Sequence, residues 1–290
     1  MSPRAPAPQA APALPQQHGA PLHIAYGIHN RDGYFIHGLA SMHSLMKGAS
    51  VPLVAHILHD GTLGAPEEDA FQKVASRSGG EAVFHDIAKE SAGFPQIPAL
   101  ERFSKGCLFR LLLPQLLPNE TVLYLDSDII ATGDALPLFA DALARKDGPP
   151  LWAVRDSAPA HRPGFRAYIR SVFGEYDGYF NSGVLVFRNA EVNRLVPDVP
   201  AAVFSLFRAR PELQFPDQDA LNFLFGVPGL TGAVSGKANF QMEYGRRLLL
   251  GETALRGKLL HYSWHKPWQK AFPAALPYWR NREEVQAILA

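Results

Sequence analysis

Apolar and polar positions along the first part of the chain alternate between two periods. Leu22 to Ile28 (LHIAYGI) is apolar-rich and predicts a strand. Gly33 to Met46 follows with Leu39, Met42 and Leu45 at helical spacing. Val51 to Leu58 predicts a second strand, closed by the turn residues His59-Asp60-Gly61. Pro66 to Ser78 predicts a helix, with Pro66 near its start and Glu67, Glu68 and Asp69 in its first turn, where negative charge is favoured. Ala82 to His85 predicts a third strand. Strand–helix–strand–helix–strand order predicts a doubly wound α/β fold with a mostly parallel sheet.

Further along, Ser104 to Leu113 predicts a helix stopped near Pro114. Thr121 to Leu125 (TVLYL) is apolar almost throughout, which suits a central strand covered on both faces. Trp152 to Val154 and Gly183 to Phe187 predict more strands, Asp217 opens a helix through Phe225, and Leu259 begins a short strand. The Trp- and Pro-rich chain after it is expected to be irregular. No internal repeat or interior linker interrupts the pattern. One domain is therefore expected over residues 22–270, with residues 271–290 as a C-terminal extension. Residues 1–21, rich in Pro and Ala and lacking the apolar core of a signal peptide, read as a disordered tail.

Composition narrows the function classes. A net charge of +1 gives no bulk electrostatic reason to bind nucleic acid. The single cysteine, Cys107, cannot form an internal disulfide, so a reducing compartment is the expected setting. It sits in an apolar pattern and reads as a small buried hydrophobe rather than a nucleophile. No stretch approaches the ~20 apolar residues of a membrane span.

The strongest chemical feature is Asp126-Ser127-Asp128. Two carboxylates stand just beyond a buried strand, where open α/β sheets bind ligands. A bare acidic pair would repel a diphosphate, so it suits that ligand only with a divalent cation between them; hard oxygen donors fit Mn²⁺ or Mg²⁺. On local grounds alone, acidic residues in a polar turn are the better account.

Four ordered segments set that pair in context: YLDSDIIATGDALPLF from Tyr124, YFNSGVLVF from Tyr179, FPDQDALN from Phe215 and LLHYSWHKPW from Leu259. Together they resemble glycosyltransferase family 8, and the likeness covers about residues 22–270. The resemblance implies a single Rossmann-like nucleotide-diphospho-sugar transferase domain of GT-A type. It implies a retaining hexosyltransferase that uses a UDP-sugar donor (UDP-glucose or UDP-galactose) and a saccharide or lipid-linked glycan acceptor. Asp126, Asp128 and His261 map onto the family's Mn²⁺ ligands, with Ser127 between the acids, and Lys266 onto a diphosphate contact. Asn181 and Ser182 map near the donor sugar, Asp217 onto a hydrogen-bond partner of sugar hydroxyls, and Gln218 beside the anomeric carbon. Arg110 matches an arginine that approaches the donor; it lies off the Leu108/Leu111/Leu112 stripe, so it need not be buried in the core, and a solvated arginine is the rival reading. Helix N-capping is a rival role for Asp217. Asn30 and Asp32 are both candidates for the uridine, because two registers two residues apart fit equally. The run from His261 to Lys266 is one residue shorter than the common bacterial form and lacks its glycine.

Two other functions compete with sugar transfer: a metal-dependent nucleotidyltransferase or phosphohydrolase, and a non-catalytic nucleotide-sugar binding protein. The chain's aromatic and cationic C-terminus (Trp268, Lys270, Phe272, Tyr278, Trp279, Arg280, Arg282) fits either contact with a membrane surface or packing of the chain end onto the domain. A cytoplasmic protein is expected, peripheral on the inner face of the plasma membrane if the first holds.

Overall fold

The computed structural model describes residues 21–290 except 96 and 146. The tail expected over residues 1–21 lies outside them but for Pro21. The predicted strands β1 (Leu22–Ile28), β2 (Leu53–His59) and β3 (Glu81–Asp86) alternate with the helices α1 (Phe35–Met46) and α2 (Ala65–Arg77). Next come β4 (Thr121–Leu125), β5 (Ile129–Ala131), β6 (Leu151–Arg155), β7 (Phe180–Arg188), β8 (Thr231–Ala233), β9 (Phe240–Gln241) and β10 (Leu259–His261).

The main sheet has the order β3-β2-β1-β4-β7-β6-β8. Strands β1 to β4 are parallel; β7 is antiparallel to both β4 and β6, and β8 rejoins β6 in parallel. The strand order reverses between β1 and β4, and ligands bind beyond the strand ends at such a switch point. One core layer lies between the sheet and α1/α2, built on Ile24, Tyr26, Leu39, Phe71 and Leu125. The other covers the opposite face, with Leu108, Phe109, Tyr124, Phe187 and Phe225. Both faces of β4 are thus buried, as its unbroken apolar run required. A small sheet, β5-β10-β9, closes over one end of the switch point.

Several expectations are corrected. Residues Lys105–Leu112 form a 3₁₀ helix, and Pro114 lies in the first turn of the following helix, Leu113–Leu116, where its missing N–H costs nothing. Asn181-Ser182-Gly183 does not precede a strand but lies within β7. The helix opened at Asp217 is α-helical only over Gln218–Leu221 and continues as a π turn over Asn222–Gly226. Asp217 makes no capping hydrogen bond there. The chain end is not irregular: Leu276–Leu289 is a helix, with Pro277 in its first turn, packed on α1 and α2. Val285 of that helix is fully buried in the main core. Among the described residues no helix is long and apolar enough to cross a membrane.

Candidate active site

Chain reversal after β4 builds the site. Asp126-Ser127-Asp128 links β4 to β5, and β5 pairs antiparallel with β10 in the register His261↔Ile129. The Tyr262 N–H donates to the Asp128 carbonyl at 3.1 Å. That ladder carries the His261 ring to the acidic pair. One oxygen of each acid and one ring nitrogen lie within 4.8 Å of one another. His261 Nε2 is 3.4 Å from Asp128 Oδ1 and 4.0 Å from Asp126 Oδ2.

These three groups fit a divalent cation. Asp128 Oδ1 is buried and has no hydrogen-bond partner, a costly state unless something else satisfies it. The other ring nitrogen of His261, Nδ1, lies 2.8 Å from Asn239 Oδ1. An amide oxygen only accepts, so Nδ1 carries the proton and Nε2 turns its lone pair to the carboxylates. Burial lowers the His261 pKa to about 4, so the ring is neutral and able to ligate near pH 7. Burial raises the Asp126 carboxyl, helped by Asp128 and Asp217 and opposed by Arg110. Burial would raise Asp128 too, but the Lys266 ammonium and then His261 outweigh it and hold the carboxyl below its usual range. Gly183 leaves the room for this convergence: a Cβ there would stand 2.4 Å from His261 Cε1 and 2.9 Å from Asp126 Oδ2.

Arg110 stands on the wall of the cleft lined by Asp126, Asp128 and His261. It is 2% exposed, not free at the surface. Its guanidinium meets Asp126 at 2.7 Å and Asp217 at 3.2 Å, donates to the Ser182 carbonyl and lies over the Tyr124 ring. Residues three apart eclipse in a 3₁₀ helix, so Arg110 and Cys107 share the face that looks into the site.

The sugar-side candidates form one hydrogen-bonded unit. Gln218 Oε1 accepts from Asn181 Nδ2 and from the Ser182 N–H, both at 3.1 Å. Gln218 Nε2 donates to Asp156 Oδ2 at 3.0 Å, and Asn181 Oδ1 accepts from Asn239 Nδ2 at 2.8 Å. The antiparallel run of β7 beside β4 puts Asn181 and Ser182 level with the end of β4, where Asp126 begins. Gln218, Asn181, Ser182 and Asp156 line a cleft of about 880 Å³, together with Asp217, Ser127 and Lys266. Lys266 is ion-paired with Asp128.

Beyond the end of β1 the cleft wall holds His29, Arg31, Asp32 and Tyr34. Asp32 takes a left-handed backbone, φ 54°. Asn30 is not on that wall: its Oδ1 accepts from the Phe35 N–H at 3.1 Å, and its Nδ2 reaches the Thr62 carbonyl. His265 also stays off the wall, whereas Trp264 stands on it, 51% exposed.

Sequence reading missed Asp156, Asn239 and Glu243. Asp156 directly follows the apolar strand β6, the same arrangement that singled out Asp126. Asn239 and Glu243 flank the two-residue strand β9, too short to show a period. Burial raises the Glu243 carboxyl to about 7, and its Oε2 is buried without a partner.

Comparison with known proteins agrees with this geometry. The profile of glycosyl transferase family 8 matches residues 23–271. The lipopolysaccharide glucosyltransferase WaaO of Escherichia coli K12 is 28% identical over 161 residues, 51% of this chain and 44% of that protein. The chain thus spans less than half of this curated relative. The structure of the galactosyltransferase LgtC in complex with donor and acceptor sugar analogues superposes with a TM-score of 0.70 at 22% identity, over 92% of this chain and 96% of that one. The bifunctional glycosyltransferase WbbM, in its apo form, gives 0.69 at 18% identity, over 95% and 53%. These two likenesses establish a shared α/β fold, the GT-A architecture.

Proposed function

The chain belongs to glycosyl transferase family 8, and from that premise we propose that it moves a hexose from UDP-glucose or UDP-galactose to a saccharide or lipid-linked glycan, with retention of configuration. The observation that carries the reading is the convergence of Asp126, Asp128 and His261 around the unpartnered Asp128 oxygen. Those three residues would hold Mn²⁺, or Mg²⁺ in its place, and the bound ion would supply Lewis-acid stabilisation of the UDP leaving group. Lys266 brings a second positive charge to the diphosphate.

Asp217 offers its carboxylate to the sugar hydroxyls, and the ion pair of its Oδ2 with Arg110 at 3.2 Å fixes its direction. Gln218 orients Asn181 and Ser182 beside the sugar. Retention has two routes: a covalent adduct on a side chain, or same-face attack by the acceptor. The oxygen of Gln218 already accepts two hydrogen bonds at 3.1 Å, and an amide is a poor nucleophile. Same-face attack follows, with the departing phosphate oxygen taking the acceptor's proton. A glycosyl adduct trapped on any side chain refutes that route. Arg31, Asp32 and Tyr34, on the cleft wall, would meet the uridine.

Asp126→Asn and Asp128→Asn should each abolish Mn²⁺-dependent UDP-sugar turnover while circular dichroism shows a folded protein. Wild-type turnover in either refutes the reading. Appearance of pyrophosphate or UMP in place of UDP favours nucleotidyl or phosphohydrolase chemistry, and UDP-sugar binding without any turnover favours a binding protein. A lipid-linked acceptor would bring the C-terminal region to a cytoplasmic membrane face. Liposome co-sedimentation of the full chain tests that contact, and equal recovery with anionic and neutral vesicles counts against it.

A further inference from the structure

The segment that carries Lys266 is gripped from outside the family match. Trp268, two residues on, lies face to face with His37 of α1, with ring centroids 3.6 Å apart and planes 14° apart. Tyr34 meets the same indole edge-on at 5.9 Å, and Tyr278 of the C-terminal helix lies 5.3 Å from it. His37 Nδ1 is 2.7 Å from the Tyr278 hydroxyl, and Arg282 reaches that hydroxyl at 3.1 Å. Arginine only donates, so the Tyr278 oxygen accepts from Arg282, while its hydroxyl and His37 Nδ1 share a second hydrogen bond. The ring plane of His37 is thereby fixed. Burial, then Arg282, lowers the His37 pKa to about 4, so the ring in the stack is neutral. Tyr278 and Arg282 both lie beyond residue 271, where the family match ends.

A lysine is a compact charge on a flexible stem, and holding it in one place costs rotamer entropy. The backbone turn Lys266–Lys270 is closed by N–H bonds from Gln269 and Lys270 to the Lys266 carbonyl, at 3.1 and 3.2 Å. Whatever fixes the Trp268 ring therefore fixes the root of the Lys266 side chain. We propose that His37 is a positioning residue for Lys266, and that the C-terminal helix, through Tyr278 and Arg282, is the brace that holds His37. This inference rests on Lys266 meeting the diphosphate, as in the proposed function. It predicts that the helix Leu276–Leu289 tunes diphosphate recognition from a distance, without touching the nucleotide.

The test compares UDP with uridine, which lacks the diphosphate, on the full chain with Mn²⁺ present. In His37→Ala the UDP Kd should rise about tenfold, roughly the 1.4 kcal/mol of one weakened charge-assisted contact. Uridine binding, read by ligand-observed NMR, should fall far less, and only through Tyr34, whose ring meets that of His37 edge-on at 5.0 Å. His37→Phe keeps a flat ring on Trp268 and should recover most of the UDP affinity. Tyr278→Phe removes only the hydroxyl and should fall between the two, which keeps the question open to measurement if His37→Ala does not fold. Unchanged UDP affinity in these variants overturns the proposal, and so does an equal loss for uridine, which would mark a merely structural role. Failure of the wild-type protein to bind UDP with Mn²⁺ would instead refute the functional reading beneath it.

Discussion

Gly183→Ala isolates the geometry on which the proposed chemistry depends. The position lies in an extended strand without a left-handed backbone, so alanine can adopt its conformation. The obstacle is space. The new methyl would stand 2.4 Å from His261 Cε1, against about 3.5–4.0 Å for carbon atoms in contact, an overlap of about 1 Å. Neither side can easily retreat. The Gly183 carbonyl accepts from the Asp126 N–H at 2.9 Å, and the next residue, Val184, pairs with Leu125 of β4. His261 is held by Asn239 and by its ladder with β5. Overpacking of this kind costs about 1–3 kcal/mol. A displacement of about 1 Å at a reacting centre costs on the order of 100-fold in rate. Mn²⁺ affinity is read by electron paramagnetic resonance, turnover by UDP release, and stability by urea unfolding. Gly236→Ala is the control, because a Cβ there meets nothing within 4 Å. The expected result is a large loss of Mn²⁺ affinity and turnover with a modest loss of stability, confined to Gly183→Ala. Wild-type Mn²⁺ binding and turnover in Gly183→Ala would refute the idea that His261 and Asp126 act where they now stand.

Two further outcomes are expected. Asn239→Ala removes the acceptor that fixes the His261 tautomer; Mn²⁺ affinity should fall about 10–100-fold in a folded protein, and an unchanged titration would deny Asn239 that role. Glu243 has a folded pKa raised from 4.5 to about 7 by burial, so the stability linked to its protonated form is complete below about pH 4.5 and is lost as pH rises through 7. Glu243→Gln cannot ionise, so its melting temperature should gain on that of the wild type between pH 5 and pH 8; a difference that stays constant over that range would count against a neutral buried acid.

What the sequence by itself determined is local in origin. Backbone period writes strands and helices directly into the spacing of apolar residues, so β1, α1, β2, α2, β3 and β4 could be placed before any fold was seen. Asp126 and Asp128 were legible because an acidic pair directly after a fully apolar strand has a known place in an open α/β sheet. The family likeness added His261, Lys266 and the Asn181 and Gln218 groups, which the structure brings into one cleft. The C-terminal helix escaped notice because Pro273 and Pro277 suggested broken chain, yet a proline in a first turn forfeits no helical bond. The likeness also singled out Arg110, but its burial between Asp126 and Asp217 was not legible, because those partners lie far from it along the chain. Only the tertiary structure decided that β10 would pair with β5, that Gly183 would leave room for an imidazole, and that His37 would meet Trp268. Such contacts join segments distant along the chain, and their register is set by how whole elements pack, which no local spacing of residues encodes.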